Sequence, residues 1–207
     1  MLGLCLALLA LPGPQAGPEP TLEELRWRLR PPLVELAVRT VAYARAGDLE
    51  RCARTAAMLE PIRRRLDGHD DILGYLDPLA PALAKRDPEA IVEAVRVLVR
   101  ADLGFLAAHL VDDSLGAGAS ARTRTILIEQ DVDFLLHFLP ADDREEEIRR
   151  VAAGLLEDLK QTVPSKAEYV RDAAWRQKAA GRLDRLLRLL DALFPEIVPP
   201  PPAARQP

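Results

Sequence analysis

Three ionisable residues, Asp102, His109 and Asp113, fall on the apolar face of one predicted helix, 89–112. Successive residues of an α-helix are rotated by about 100°, so all three lie within about 40° of Ile91, in the middle of that face. His109 and Asp113 are four residues apart, which lets their side chains touch. Burial of a carboxylate is costly unless the group is paired, hydrogen-bonded or bound to a metal. The sequence therefore predicts that a partner compensates these groups.

The next predicted helix, 121–139, carries two more ionisable residues on its apolar arc, Arg124 and Asp131. Imidazole nitrogen and carboxylate oxygen bind transition metals, and the cores of helical bundles hold metal and haem sites. One hypothesis is therefore a transition-metal or haem site in the core. Its predicted ligands are His109 through nitrogen and Asp102, Asp113 and Asp131 through oxygen.

Two other interpretations of the same group remain open. In the first, the group is a structural network in which Arg124 is the buried ion-pair partner of Asp131 or Asp102, and His109 bonds to Asp113. In the second, the helix ends just before His109, and the residues after that point lie at a solvated corner. The sequence contains no recognisable pair of a nucleophile and a general base, which favours a non-catalytic protein.

The remaining polar stripes on these two helices are predicted to face solvent, because an amphipathic helix has one polar side. On helix 89–112 the stripe comprises Glu93, Arg96 and Arg100. On helix 121–139 it comprises Glu129, Asp133 and His137, each four residues after the last. The second stripe has residue types that could ligate a metal, but a solvated face is the simpler interpretation.

Apolar residues at helical spacing run along most of the chain, and no alternating run rich in β-branched and aromatic residues indicates a strand. Asp48 and Asp87 are predicted N-caps, and Pro31-Pro32 is predicted to break or kink the first segment. The predicted helices span 21–30, 32–46, 49–66, 71–85, 89–112, 121–139, 143–161 and 166–194. This pattern predicts an all-α fold, an antiparallel helical bundle built from helical hairpins with about seven or eight helices. A short superhelical stack is the alternative.

The first residues of the chain suit an export signal. Leu2–Leu11 is apolar but too short to span a bilayer, and prolines and small residues follow it. The predicted segments are a signal peptide over 1–16, a linker over 17–20, a helical-bundle domain over 21–194 and a Pro-rich tail over 195–207, with a subdivision of the domain at 114–120 as an option. The predicted localisation is therefore periplasmic or secreted.

Two motifs are interpreted as structural. Cys52 is the cysteine that remains if the signal peptide is removed, and its position on an apolar helix face predicts a buried, unreactive thiol. Gly116–Ala121 matches the G-x-G-x-x-A dinucleotide pattern, but that motif needs a preceding strand and here a helix precedes it. We therefore interpret the segment as a linker.

Composition limits the partners. The net charge is −4 and only four of the 28 basic residues are lysines, so the arginines do not indicate nucleic-acid binding. No apolar run reaches the ~20 residues of a spanning helix, which predicts no transmembrane segment in the mature chain. The sequence favours an exported, non-catalytic helical-bundle protein that acts as a binding or scaffold module for a protein partner. The alternative is a metal- or haem-binding helical bundle with a buried His/Asp site.

Overall fold

The computed structural model describes residues 22–66, 71–110, 121–139, 144–162 and 173–195. These residues form eight α-helices and one 3-10 helix, and no β-strand occurs among them. The elements are α1 (Leu22–Arg45), α2 (Leu49–Ala57), α3 (Leu59–Leu66), the 3-10 helix (Asp71–Leu76), α4 (Leu79–Lys85), α5 (Pro88–Leu110), α6 (Ala121–Leu136), α7 (Glu145–Thr162) and α8 (Ala173–Leu193). The predicted all-α fold is confirmed, and its closure into an antiparallel bundle stays a prediction.

Helix α5 lies at the centre of the core, because it packs against α1, α4, α6, α8 and the 3-10 helix. Its apolar face is fully buried, as the periodicity of the sequence predicts. The most deeply buried side chains of this face, at 1% exposure or less, include Ile91, Val95, Leu98, Leu103 and Leu106. Removing each of these side chains from water stabilises the fold by about 1.5–3 kcal/mol. The position of α5 in the core thus rests mainly on apolar burial.

Both predicted N-caps are confirmed. Asp48 Oδ1 accepts a hydrogen bond from the backbone N–H of Arg51 at 3.0 Å. Asp87 Oδ1 accepts from the backbone N–H groups of Glu89 and Ala90, both at 3.1 Å. These carboxylates satisfy amides that have no partner within the first turn of a helix. The caps explain why α2 and α5 begin where they do.

Of the two outcomes predicted at Pro31-Pro32, the break is wrong, because both prolines lie inside the single helix α1, and the kink stays a prediction. A proline in a helix interior removes a backbone hydrogen bond and crowds the preceding turn, at a cost of about 3 kcal/mol. The half of α1 that follows the prolines is anchored in the core by Leu33, Ala37 and Val41, each 3% exposed or less. Tertiary packing of this half outweighs the local preference for a break.

Two predicted helices are divided. The segment 49–66 breaks at Met58 into α2 and α3, and 71–85 becomes the 3-10 helix and α4. Pro61 explains the first break, because its ring would clash with the carbonyl of Ala57, the last residue of α2. Within α3 the same proline occupies the first turn, where its missing N–H leaves no hydrogen bond unmade.

Several predicted segments lie outside the described residues. They are the signal peptide 1–16, the linker 17–20, the subdivision at 114–120 and the tail from 196 onward. The described part of α8 starts at Ala173, whereas the prediction placed its start at 166. These boundaries stay predictions.

Candidate functional site

A buried ion pair joins α1 to α5. The Nε atom of Arg30 donates to Oδ1 of Asp102, and both residues are 4% exposed. The predicted burial of Asp102 is confirmed, and it forms an ion pair with Arg30, a residue outside the predicted site. Because water is excluded, removal of either partner would leave a charge without compensation.

The Arg30 guanidinium is also held by an aromatic ring. Its Cζ atom lies 3.6 Å from the ring centroid of Phe105, one turn after Asp102 on α5. The Phe105 ring in turn meets the His109 ring edge-on, with centroids 4.2 Å apart at 74°. Cations are attracted to the faces of aromatic rings, most strongly where water is excluded. One face of α5 thus presents a carboxylate and an aromatic ring to the same guanidinium.

A second carboxyl group from α6 completes this cluster. Asp131 is 5% exposed, as predicted, and its side chain hydrogen-bonds to that of Asp102. Desolvation raises the pKa of Asp131 well above its usual range, and the charge and hydrogen bond of Asp102 raise it further, whereas Arg30 lowers it. Oδ2 of Asp131 is buried and has no hydrogen-bond partner within the described part of the chain. We call Arg30, Asp102 and Asp131 the buried triad.

The charges of the triad favour protonation of Asp131. Among the described residues one guanidinium acts on the two carboxyl groups, so a second ionised carboxylate would lack a compensating cation there in a medium of low dielectric constant. A neutral Asp131 removes this excess charge and can donate its proton to Asp102. A neutral carboxyl group also tolerates an unpaired oxygen at lower cost than a carboxylate does. The arrangement can therefore hold one proton out of contact with solvent.

Arg124 is buried, as predicted, at 4% exposure. Its Nη1 atom donates a hydrogen bond to the backbone carbonyl oxygen of His109, in the last turn of α5. The final carbonyl groups of a helix lack partners within the helix, and a basic side chain satisfies them and complements the helix dipole. Arg124 thus joins the start of α6 to the end of α5.

The predicted metal site is only partly covered by the structure. Asp102 and Asp131 meet, His109 is half-buried with its ring against Phe105, and Asp113 lies outside the described residues. Across the five described ranges, no group of three or more His, Cys, Asp or Glu side chains is arranged to hold a metal ion. Metal or haem binding by these residues stays a prediction.

The predicted exposure of Arg100 is wrong. This side chain is 9% exposed and donates from Nε and Nη2 to the two carboxylate oxygens of Asp191 on α8, at 2.7 and 2.9 Å. Helix α8 covers this side of α5, so a stripe that is polar in sequence becomes an interface between helices. A paired guanidinium and carboxylate of this geometry form a strong, directional contact.

The polar stripe of α6 behaves largely as predicted. Asp133 and His137 are exposed, and Glu129 is half-buried and forms an ion pair with Lys160 of α7. Partial desolvation raises the pKa of Asp133, and the charge of Glu129 raises it further. The stripe therefore acts mainly as a solvated face that also contacts α7.

A shallow groove that opens to solvent lies among α2, α3, α4 and the 3-10 helix. Its apolar walls are formed by Ala56, Leu59, Leu76, Leu79, Ala80 and Leu83. We call this feature the α2–α4 groove. Cys52 of α2 is 1% exposed, and burial raises the pKa of its thiol, which confirms the predicted buried cysteine.

Comparison with known proteins leaves the chain without an assigned relative: no protein-family model, no curated protein and no solved structure matches it. None of the helices in the described part of the chain has the length and apolar character needed to cross a membrane.

Proposed function

We propose that the protein is an exported, non-catalytic binding module that accepts an amphipathic helix of a partner protein in the α2–α4 groove. The groove is the observation that supports this proposal. Helices commonly recognise partners by laying an apolar face into an apolar groove of the other protein. The buried triad serves as the scaffold, because its carboxyl groups are about 5% exposed and a substrate could not reach them while the helices stay packed.

The walls of the groove suit a helical ligand. Leu59, Leu76 and Leu79 form a buried floor, and Ala80 is exposed at the opening. A side chain as small as alanine leaves room for another helix to approach closely. Met58, which precedes Leu59 in sequence but does not itself line the groove, is 42% exposed, and its flexible thioether adapts to different apolar surfaces. These features favour apolar packing as the main source of affinity.

The charged residues at the groove already have partners. Glu60 pairs with Arg64 at 2.9 Å, and Arg63 pairs with Asp77 at 2.7 Å. Because both charges are satisfied within the chain and exposed, they contribute little net attraction to a ligand. The partner that fits is therefore a helix with an apolar face rather than a strongly charged peptide.

Replacement of Ala80 by arginine tests this proposal. The long charged side chain should obstruct the groove, so a protein that wild type retains from an extract of its source organism should be lost or bound at least about tenfold more weakly. Ala153→Arg on the exposed side of α7 is the matched control and should retain it. Circular dichroism spectra and melting curves establish that both variants fold. Equal retention by both variants, or no protein retained by wild type, would contradict the proposal.

The export part of the proposal rests on the sequence of residues 1–16 alone. We expect mass spectrometry of the protein purified from its source organism to find a mature N-terminus close to residue 17, because signal peptides are removed after small residues such as Ala16. A mature chain that still begins at Met1 would contradict export by this route.

A further inference from the structure

We propose that Asp102 and Asp131 hold one proton between them at neutral pH, so that the junction of α1, α5 and α6 is a pH-sensitive contact that weakens when this proton is lost. The buried triad shares no residue with the α2–α4 groove. Arg30 and Asp102 form a buried ion pair, and beside Asp102 lies the carboxyl group of Asp131, which is buried and whose Oδ2 has no hydrogen-bond partner in the described part of the chain.

The three helices contribute different parts to the triad. Arg30 comes from α1, Asp102 from α5 and Asp131 from α6, so the contact spans 101 residues of sequence between Arg30 and Asp131. Loss of the proton would leave two carboxylates opposite one guanidinium in a site that water does not reach. The resulting repulsion acts between α5 and α6, because each helix carries one carboxylate. The junction can relieve it by letting water reach the site.

Among the described residues, the other members of the triad are the charged groups that influence the protonation of Asp131. The charges that act on it in the described part of the chain belong to Asp102 and Arg30. On its own helix, Arg124 lies seven residues earlier and bonds to the carbonyl of His109. On α7, Lys160 is engaged by Glu129, and Arg149 by Glu145 at 2.9 Å.

The sign of the pH effect follows from proton linkage. In the unfolded chain Asp131 ionises near pH 3.9, the ordinary value for aspartate. In the folded chain the burial and charges described above raise its pKa, so the folded state holds more protons between the two values. The free energy of unfolding therefore falls as pH rises through that window and levels off above the folded value. At full effect, one extra proton corresponds to a tenfold increase in the unfolding equilibrium constant for each pH unit, about 1.4 kcal/mol.

Asp131→Asn is the decisive variant, because an amide is close to isosteric with a neutral carboxyl group and can still donate to Asp102. Urea unfolding is measured from about pH 4 to pH 8 for wild type, Asp131→Asn and the control Asp184→Asn. Asp184 is an exposed residue of α8 that pairs with Arg188. We expect the free energy of unfolding to depend less on pH in Asp131→Asn than in wild type, by up to about 1.4 kcal/mol per pH unit, which corresponds to one proton. Asp184→Asn should keep the wild-type pH dependence.

A spectroscopic measurement on the folded wild-type protein covers the case in which Asp131→Asn fails to fold. We expect the infrared difference spectrum between pH 7 and higher pH to contain the carbonyl stretch of a protonated carboxylic acid, which disappears as pH rises. Identical pH slopes in wild type and Asp131→Asn, or no protonated carboxyl signal at pH 7, would overturn the proposal.

Discussion

Replacement of Arg30 by methionine should lower the free energy of unfolding at pH 7 by about 3–5 kcal/mol, which is the usual cost of breaking a buried ion pair by removing one partner. Methionine keeps an unbranched apolar stem but removes the cation that compensates Asp102 and stacks on Phe105. The loss should shrink at acid pH, because protons can then neutralise both buried carboxyl groups, which need a cation only while one of them is ionised. Urea unfolding at pH 7 and at acid pH measures both effects.

Arg39→Met is the matched control on the same helix. The Arg39 side chain is 41% exposed and pairs with Glu35, also exposed, so its replacement should change the free energy of unfolding by less than about 1 kcal/mol. Equal effects of the two substitutions would show that Arg30 does not sit in a buried ion pair.

Replacement of Leu98 by alanine should cost about 2–5 kcal/mol. Leu98 is fully buried near the middle of α5, which packs against four other α-helices, so truncation leaves a cavity that the surrounding helices cannot close. Urea or thermal unfolding measures the loss. Unlike that of Arg30→Met, this loss should be the same at acid and neutral pH, because no ionisable group is removed.

Val151→Ala provides the comparison for this apolar truncation. Val151 lies on α7 and is 43% exposed, so its replacement should stay within about 0.5 kcal/mol of wild type. A loss of less than about 0.5 kcal/mol in Leu98→Ala would contradict the central position of α5 in the core.

Local sequence patterns predicted α5 well. The predicted start at residue 89 differs by one residue from the observed Pro88, the described helix runs to Leu110, and Asp102 is buried as the helical periodicity requires. The periodicity succeeds because α5 is amphipathic and its N-terminus carries a strong cap at Asp87.

The partner of Asp102 could not be found in the same way. Arg30 comes just before Pro31-Pro32, so the prediction of a break there placed it at a helix end. In the continuous helix α1, Arg30 lies three and seven residues before Leu33 and Ala37, on the same buried face. Treating α1 as one helix would have placed Arg30 in the core. Even then, the periodicity of α1 does not indicate which other helix its buried face packs against.

The environment of Arg100 shows a second limit of sequence reasoning. Its position on the polar side of α5 is consistent with exposure, and only the placement of α8 makes this side an interface. Asp191 is 91 residues away in sequence and half-buried on its own helix, and no local pattern connects the two residues. Contacts of this kind depend on tertiary arrangement, which the periodicity of single helices does not specify.

A double-mutant cycle between Arg30 and Asp102 tests the buried ion pair most directly. The free energy of unfolding is measured by urea denaturation at pH 7 for wild type, Arg30→Met, Asp102→Asn and the double variant. Residues in direct contact in a buried network should show a coupling energy of about 1–3 kcal/mol, with the double variant less destabilised than the sum of the single variants. Additive effects, within about 0.5 kcal/mol, would contradict a contact between α1 and α5 through these two side chains.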